Sequence, residues 1–480
     1  MSKTKIVFYS GIHTIGGVVM SIQYGKDRVI LEMGSAYEPA TAVYDGTVLK
    51  RSRNFLKDSL ILSHVPAIPG LYRKEDLLDY PLLSAEECDL NTGVFITHLH
   101  LDHMACMGLV SDLVPVYLSD AAWKLERALN DIGQGVVSVR NSYTNFNDKK
   151  PIKIGEIEVI PFLLRSQDSY EDYSFYVKTP DMKLHYTGDL QLHGEEEENI
   201  VTIKEMEYIR DEKIDVLVCE TTSFMDEIMK MIYGSTDAEI IGSLETPKGM
   251  LDIPAVSEGL FSFLKEKKGA AVVNFYEREI GSVLEFTRRA EECKRLFIME
   301  PETGYLVYKF LDVKPNVYVP DAPHFTVPGL QEPWFKTLLD NCKIITIDDI
   351  KNNPGKYLVQ NSYKYILELL DFPEGTAYLH AEGIPIGAFD PAYQNLMRVI
   401  KFTKADYITY FSKNYFSHSY PNQVKYYVDT IDPKVLVPSH GFNPERLKAP
   451  KGRSQLIPVL NKVYVYDGDK GILTEEKNAN

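Results

Sequence analysis

The sequence lacks the cysteine pairs and the long apolar runs that mark a disulfide scaffold, a thiolate metal site or a membrane span. Its five cysteines are scattered, odd in number and never arranged as CxxC, so neither a disulfide framework nor a thiolate zinc site is indicated. Nowhere do about eighteen apolar residues run uninterrupted. The N-terminal segment also has no apolar core followed by a cleavage site. We therefore expect a cytoplasmic protein with no membrane partner.

Positive charge is scarce as well. The formal net charge is −16, with 52 Lys and Arg against 68 Asp and Glu. Phosphate backbones are bound mainly through Lys and Arg, so this balance argues against a nonspecific nucleic-acid binder. It leaves a site-directed phosphodiesterase open, because bound metal ions add local positive charge. The 480 residues, 44% of them hydrophobic and 25% charged, indicate a globular chain of two or three domains.

What the sequence does contain is the segment THLHLDHM at positions 97–104, with three histidines and one aspartate close together. The preceding TGVFI predicts a buried strand that ends where the histidines begin. Side chains two apart on a strand share a face, so His98 and His100 can converge on one point. Asp102 and His103 can turn toward a second point. A single histidine is usually a satisfied core or surface residue, but burying four such groups unpaired would cost several kcal/mol. Zinc and similar divalent ions prefer these ligands, so the cluster predicts two adjacent metal ions.

The pattern of predicted strands and helices divides the chain into three segments. Up to about residue 240 the pattern is rich in strands, beginning with a hairpin around the turn YGKD, and its strands end in polar or acidic residues. Between 241 and 400, stretches such as AAVVNFY, a following amphipathic helix and FIME predict an inserted α/β domain with a parallel sheet. From 401 to 480 the strand pattern DPKVLVPSHG ends at His440 and indicates a return to the first domain.

Two motifs carry a resemblance to a known family. THLHLDH matches the HxHxDH signature of the metallo-β-lactamase fold, and HYTGDLQLHG resembles the later motif of that fold, whose aspartate is Asp189 here. The insertion, followed by FSHS and VPSHG, resembles the β-CASP branch, which includes ribonuclease J-like RNA-processing nucleases. In that branch an acidic residue corresponds to Glu220, and two later histidines correspond to His418 and His440. The fold class implied is α/β, an αββα sandwich with an inserted α/β β-CASP-like cap.

The resemblance also implies roles for these side chains. His98 and His100 would hold a first zinc ion, Asp102, His103 and His440 a second, and Asp189 would bridge them, with manganese as an alternative metal. The implied catalytic residues are Asp102, Asp189, His418 and Glu220. His418 would contact the scissile phosphate or the leaving oxygen, and Glu220 would orient a ligand or the water. The chemistry favoured is metal-assisted hydrolysis.

The chain departs from the family pattern at one expected ligand. Gln167 stands where the fold usually supplies a histidine to the first metal, and a neutral amide is a poorer zinc ligand than imidazole. Asp168 could supply a carboxylate after a shift of one residue. A second departure is the segment FSH, which ends at His418, because the family usually has a glycine directly before this histidine.

The function favoured by these motifs is a metal-dependent phosphodiesterase, specifically a ribonuclease of RNA processing or decay that takes single-stranded RNA. Two alternatives stay open at this point. One is a hydrolase of another phosphodiester or ester, and the other is a catalytically degenerate protein that binds RNA or a partner. A homo-oligomer is also left open.

Overall fold

The fold is described from a computed structural model of the chain. It covers every residue except positions 1, 41, 45–46, 137, 141, 165–170, 193–195, 227–228, 231–235, 237–261, 263, 382, 410–417 and 477–480. The strands are numbered β1 to β22 and the described helices α1 to α12, both in chain order. Among the described residues, no helix is both long and apolar enough to span a membrane.

Two large sheets form the main body of the molecule. The first has eight strands in the order β22-β21-β1-β2-β3-β4-β5-β6. Their bounds are β1 Lys5–Ser10, β2 Val19–Tyr24, β3 Asp27–Leu31, β4 Asn91–Phe95, β5 Val116–Ser119, β6 Thr144–Phe146, β21 Val463–Asp467 and β22 Ile472–Glu475. The second has seven strands in the order β20-β19-β11-β10-β9-β8-β7. Their bounds are β7 Ile152–Ile154, β8 Ile157–Leu164, β9 Asp172–Lys178, β10 Lys183–Tyr186, β11 Val216–Glu220, β19 Val435–Ser439 and β20 Ser454–Gln455.

The two sheets pack face to face. Phe8 and Phe95 from the first sheet and Phe175 and Val218 from the second belong to one buried apolar cluster. The ring centroids of Phe95 and Phe175 are 5.8 Å apart. Burying such aromatic side chains contributes about 1.5–3 kcal/mol each, so this layer is a main source of stability.

Helices cover the outer faces of both sheets. The described helices are α1 Phe55–Ile61, α2 Lys74–Leu77, α3 Leu101–Met104, α4 Asp120–Asp131, α5 Glu196–Glu212, α6 Ile280–Glu292, α7 Pro301–Leu311, α8 Pro323–Thr326, α9 Pro333–Leu339, α10 Ile347–Asn352, α11 Ala392–Thr403 and α12 Pro421–Ile431. Short 3₁₀ helices occupy Ala85–Glu87, Met107–Leu109, Pro354–Lys356, Tyr363–Asp371 and Pro444–Arg446. Helices α1 and α4 pack on the first sheet, and α5 and α12 pack on the second. The layers therefore run helix, sheet, sheet, helix.

Helix α4 illustrates how the sequence produces this packing. The Ala122 backbone N–H donates to Ser119 Oγ at 3.0 Å, which caps the helix where β5 ends. Leu125 and Leu129 follow Ala122 at spacings of three and seven residues, so all three lie on one face. That face is buried against the first sheet.

A third sheet lies in the chain between β11 and β19, which themselves pair directly. Its order is β13-β16-β12-β17-β18, with β12 Ala271–Asn274, β13 Leu296–Ile298, β16 Tyr357–Gln360, β17 Ala377–His380 and β18 Asp406–Thr409. All of its pairings are parallel. A two-stranded sheet of β14 Asn316–Val317 and β15 Lys343–Ile344 accompanies it. We call the part of the chain that carries these two sheets the cap.

The structure confirms the expected mixed α/β class. The turn YGKD closes an antiparallel hairpin in which Tyr24 pairs with Asp27, as predicted. A parallel sheet is present where the inserted α/β segment is expected. Strand β18 pairs with β17 although it lies beyond residue 400, so this sheet uses residues from the segment 401–480. The three-part division of the chain stays a prediction.

Candidate metal centre

The histidine motif follows β4 but is not itself a strand. Strand β4 ends at Phe95, His98 and His100 lie in the following loop, and Asp102 and His103 form the first turn of α3. The strand predicted before the histidines is present, but the strand geometry used to bring His98 and His100 together is wrong, because both residues lie in the loop after it. The loop still brings the rings of His98 and His100 together, with centroids 4.5 Å apart.

Asp189 lies at the middle of the cluster. It follows β10, whereas His440 follows β19, so two strand ends on either side of β11 in the second sheet face the loop after β4. The Nε2 atoms of His103 and His440 are 3.3 and 3.4 Å from Asp189 Oδ1. His98 Nε2 is 3.6 Å from Asp189 Oδ2. Three imidazole nitrogens thus converge on one carboxylate.

Asp102 completes a second group of ligand atoms. Its Oδ2 is 3.2 Å from His440 Nε2 and 3.6 Å from His103 Nε2. Three sets of side chains could each hold a metal ion, because the ligand atoms within a set all lie within 4.8 Å of one another. The sets are His98, His103 and Asp189; Asp102, His103 and His440; and Asp189, Glu220 and His440. The second set is the one that the sequence assigns to the second metal. Glu220 belongs to the third set, so its carboxylate could itself bind a metal ion, whereas the resemblance implies that it only orients a ligand or the water.

Each of four histidines is held through its other ring nitrogen. His103 Nδ1 is 3.3 Å from Glu32 Oε1, and His98 Nδ1 is 3.0 Å from Asp172 Oδ1. His418 Nδ1 lies 3.1 Å from both oxygens of Glu220, and His440 Nδ1 lies 2.8 Å from Thr222 Oγ1. A carboxylate can only accept, so in a neutral ring the Nδ1 of His98, His103 and His418 carries the proton. Their Nε2 lone pairs then point toward Asp189.

Two of the partners in these bonds are anchored by the fold. Glu32 directly follows β3 and accepts from the backbone N–H and the hydroxyl of Thr97, at 3.2 and 2.6 Å. Glu220 ends β11 and accepts from the Leu190 backbone N–H at 2.6 Å. Metal-binding histidines are usually fixed in this manner, because an outer hydrogen bond sets the tautomer and the ring orientation.

The pKa values divide the cluster into neutral and charged groups. Burial lowers the pKa of His98 to about 4 and of His100 to about 3, so both rings are neutral at pH 7. Burial opposes ionisation of His103 and Asp189 as well, but their mutual attraction outweighs it. The pKa of His103 is raised and that of Asp189 is lowered well below its usual range.

The fit to metal ions rests on buried atoms that have no hydrogen-bond partner among the described residues. These atoms are His98 Nε2, His100 Nε2 and Asp189 Oδ1. Leaving such groups unsatisfied costs about 1–3 kcal/mol each, more for a charged group. A bound cation would satisfy Asp189 Oδ1 and His98 Nε2 together. The donor set therefore fits one or two divalent ions.

A cleft of about 400 Å³ opens above the cluster. His100, Asp102, Asp189 and His418 line its base. Its walls are largely aromatic and aliphatic, and they include Tyr37, Tyr44, Phe55, Tyr276, Ile384 and Ile386. Lys50 is the one Lys or Arg among the described residues that line it. Because Tyr276, Ile384 and Ile386 belong to the cap, the cleft lies between the cap and the two-sheet body.

The cap also contacts the histidine loop directly. The Tyr276 ring centroid is 5.5 Å from that of His100. Arg278 is buried, and its Nη1 donates to the Leu99 carbonyl at 3.1 Å. The loop that carries the histidines is therefore held from the cap side as well as from the sheets.

Sequence reasoning missed three of the side chains that hold the histidines: Glu32, Asp172 and Thr222. Glu32 and Thr222 each follow a buried strand at the same end as the histidine motif, and that position was the available signal. Gln167 and Asp168, weighed as replacement ligands, lie outside the described residues.

Comparisons with known proteins give fold information alone. No protein-family model matches the chain, and no curated protein matches it. A crystal structure of a protein of unknown function from Enterococcus faecalis V583 aligns with a TM-score of 0.73 and 23% identity, over 96% of this chain and 100% of that chain. The two chains share a fold. The metallo-beta-lactamase fold protein YhfI from Bacillus subtilis aligns at a TM-score of 0.29 and 14% identity, over 75% of this chain and 96% of that chain, which is too low to establish a common fold.

Proposed function

We propose that this chain is a metal-dependent hydrolase of the metallo-β-lactamase type, with the cap as a β-CASP-like insertion. One observation carries the proposal: the Nε2 atoms of His98, His103 and His440 all lie within 3.6 Å of Asp189. Their Nδ1 atoms are each held by another side chain. A cluster that served only packing would not need three imidazole nitrogens aimed at one buried carboxylate.

The resemblance to the metallo-β-lactamase fold assigns the residues that would hold the ions, although His100 is in none of the three groups of ligand atoms that the described residues form. His98 and His100 would hold one, Asp102, His103 and His440 the other, and Asp189 both. Zinc suits these ligands, and manganese is the alternative. When bound, such ions supply Lewis-acid chemistry, because they lower the pKa of water and neutralise charge on phosphate oxygens.

His418 and Glu220 would handle the substrate. His418 is partly exposed to the cleft, and its Nε2 lies 3.9 Å from Asp189 Oδ2. Its Nδ1 donates to Glu220, so the ring is held with Nε2 toward the site of reaction. When the ring is protonated on both nitrogens, Nε2 can donate a hydrogen bond to a phosphate oxygen or a proton to the leaving oxygen. Glu220 sets the orientation of this ring.

The finer proposal for the substrate is single-stranded RNA, which makes the protein a ribonuclease. The order of motifs along the chain and the position of His418 beside Asp189 support it. A flat base could stack on Tyr37, Tyr44 or Tyr276 in the cleft.

A smaller phosphodiester or ester is the second candidate, and the cleft lining favours it. The volume of about 400 Å³ is within the range of about 300–1,000 Å³ typical of small-molecule sites. With Lys50 as the one Lys or Arg among the described lining residues, this cleft has little with which to follow a phosphate backbone.

Zinc-loaded protein tests these proposals against a single-stranded RNA, bis(p-nitrophenyl) phosphate and a p-nitrophenyl carboxylic ester. We expect phosphodiester hydrolysis that is lost in Asp189→Ala and reduced about 10²- to 10⁴-fold in His418→Ala. His324→Ala, which removes an exposed histidine of the cap, is the matched control and should retain full activity.

The pattern across the substrates separates the candidates. RNA cleaved faster than the small diester supports the ribonuclease, whereas efficient hydrolysis of the small diester or ester without RNA cleavage supports the second candidate. No turnover of any substrate by zinc-loaded protein would refute the hydrolase and favour a binding protein.

A further inference from the structure

Asp172 occupies a position in the metal centre that the sequence motifs do not assign. It is the first residue of β9, only 2% exposed, and its Oδ1 lies 3.0 Å from His98 Nδ1. Strand β9 belongs to the second sheet, whereas His98 follows β4 of the first. The contact therefore joins the two sheets directly below the cluster.

The backbone fixes the Asp172 carboxylate in place. The Tyr173 N–H donates to Asp172 Oδ1 at 3.0 Å. Asp172 pairs with Leu164 in the antiparallel ladder between β8 and β9, so its Cα has little freedom. The backbone at Asp172 is thus held by a neighbouring strand, and its carboxylate is held by the backbone.

Two acceptors face the same nitrogen of His98. Asp172 Oδ1 and Thr97 Oγ1, whose hydroxyl donates to Glu32 Oε1, each lie 3.0 Å from His98 Nδ1. The Nδ1 of a neutral ring therefore carries the proton, and Nε2 keeps its lone pair. That Nε2 is 3.6 Å from Asp189 Oδ2, is buried, and has no hydrogen-bond partner among the described residues. Asp172 lies on the opposite edge of the ring from Nε2, so it acts on a metal ion through His98.

We propose that Asp172 is the positioning residue of the first metal ion: it fixes the tautomer and orientation of His98 and places a carboxylate behind a site that lacks an expected histidine ligand. This inference rests on the proposed function, since it assigns a residue to the same centre. The carboxylate makes His98 a more basic ligand. Loss of Asp172 should weaken one of the two ions and leave the other.

Zinc binding tests the proposal without any assay of activity. Chelator-stripped full-length protein is titrated with zinc against a competing chromophoric chelator, for wild type, Asp172→Ala, Asp172→Asn and Glu171→Gln. We expect Asp172→Ala to bind one of two ions about 10- to 100-fold more weakly and the other as wild type does. Asp172→Asn should lie between, because the amide oxygen can still accept from Nδ1. Glu171→Gln removes the neighbouring carboxylate and should match wild type.

A cobalt(II) titration adds a readout that a general loss of packing would not change. The d–d spectrum of one ion should change in Asp172→Ala and be partly restored in Asp172→Asn. Zinc affinities and cobalt spectra equal to wild type in Asp172→Ala would overturn the inference and leave the proposed hydrolase intact. If Asp172→Ala does not fold, unchanged affinity in Asp172→Asn overturns it in the same way. Wild-type protein that binds no zinc would overturn the proposed function together with this inference.

Discussion

Replacing Gly16 by alanine should disrupt one metal ligand without unfolding the protein. A Cβ on Gly16 would lie 2.0 Å from Asp102 Oδ2, 2.2 Å from its Cβ and 2.5 Å from its Cγ. Ordinary contacts between such atoms are about 3.5–4.0 Å, so the Asp102 side chain must move by roughly 1.5 Å. The loop cannot simply swing away, because the Gly17 backbone N–H donates to the Asp102 carbonyl at 2.8 Å. Metal–ligand distances tolerate about 0.2 Å, so Asp102 would no longer reach the second ion.

Backbone strain accompanies this clash and needs a control. Gly16 has φ +65°, which costs an L-residue about 1–2 kcal/mol. Gly25 in the β2–β3 turn has φ +60°, but its Cβ would find its nearest atom, Ser2 Oγ, at 3.8 Å. Gly25→Ala therefore experiences a similar strain with no clash. Both variants should unfold at a lower temperature than wild type.

Zinc titration separates the two effects. We expect Gly16→Ala to bind the second ion at least about 10- to 100-fold more weakly, whereas Gly25→Ala binds both ions as wild type does. Differential scanning fluorimetry checks that both variants are folded. If Gly16→Ala kept wild-type affinity for both ions, Asp102 would not be a ligand and the assignment of the second site would be wrong.

Three further predictions concern other parts of the structure. Thr222→Val removes the hydroxyl beside His440 Nδ1 and should weaken one zinc ion about 10-fold in a titration, and unchanged affinity would contradict this. Burial raises the pKa of Glu300 to about 8, above an unfolded value of about 4.3, so its stabilising contribution is complete below the unfolded pKa and is lost as the pH rises through about 8. Melting temperatures of Glu300→Gln should therefore fall less than those of wild type between about pH 4.5 and 8, and parallel curves over that range would contradict this. Phe175→Ala should reduce the free energy of unfolding by about 3–5 kcal/mol, measured in urea, whereas Phe402→Ala at a side chain that is 70% exposed should have almost no effect.

Local sequence pattern was sufficient for the elements that depend on neighbours in the chain. The hairpin at Tyr24 and Asp27 follows from a turn between two alternating runs, and the strand before His440 follows from an apolar run that ends in polar residues. The motif residues His98 to His103 were found because their side chain chemistry and spacing are unusual for packing. The structure brings them together with Asp189 and His440, although by a loop and a helical turn rather than by a strand.

Contacts that depend on the packing of one sheet against another could not be read from the chain. Asp172 begins β9 of the second sheet and contacts His98, which follows β4 of the first sheet and is distant in sequence. Strand β16 lies between β12 and β13, although β12 and β13 are consecutive strands in the chain. A local pattern contains no information on such an insertion, because it is set by which strand edges remain free when the segment folds.

Hydrolysis of bis(p-nitrophenyl) phosphate during stepwise addition of zinc to chelator-stripped protein tests the central claim most directly. If the cluster around Asp189 is the centre of a metal-dependent hydrolase, activity should be absent without zinc and rise to a plateau at about two equivalents. Asp189→Ala should stay inactive at every ratio. Activity that is the same with and without zinc, or wild-type protein that binds two equivalents and hydrolyses nothing, would contradict the account.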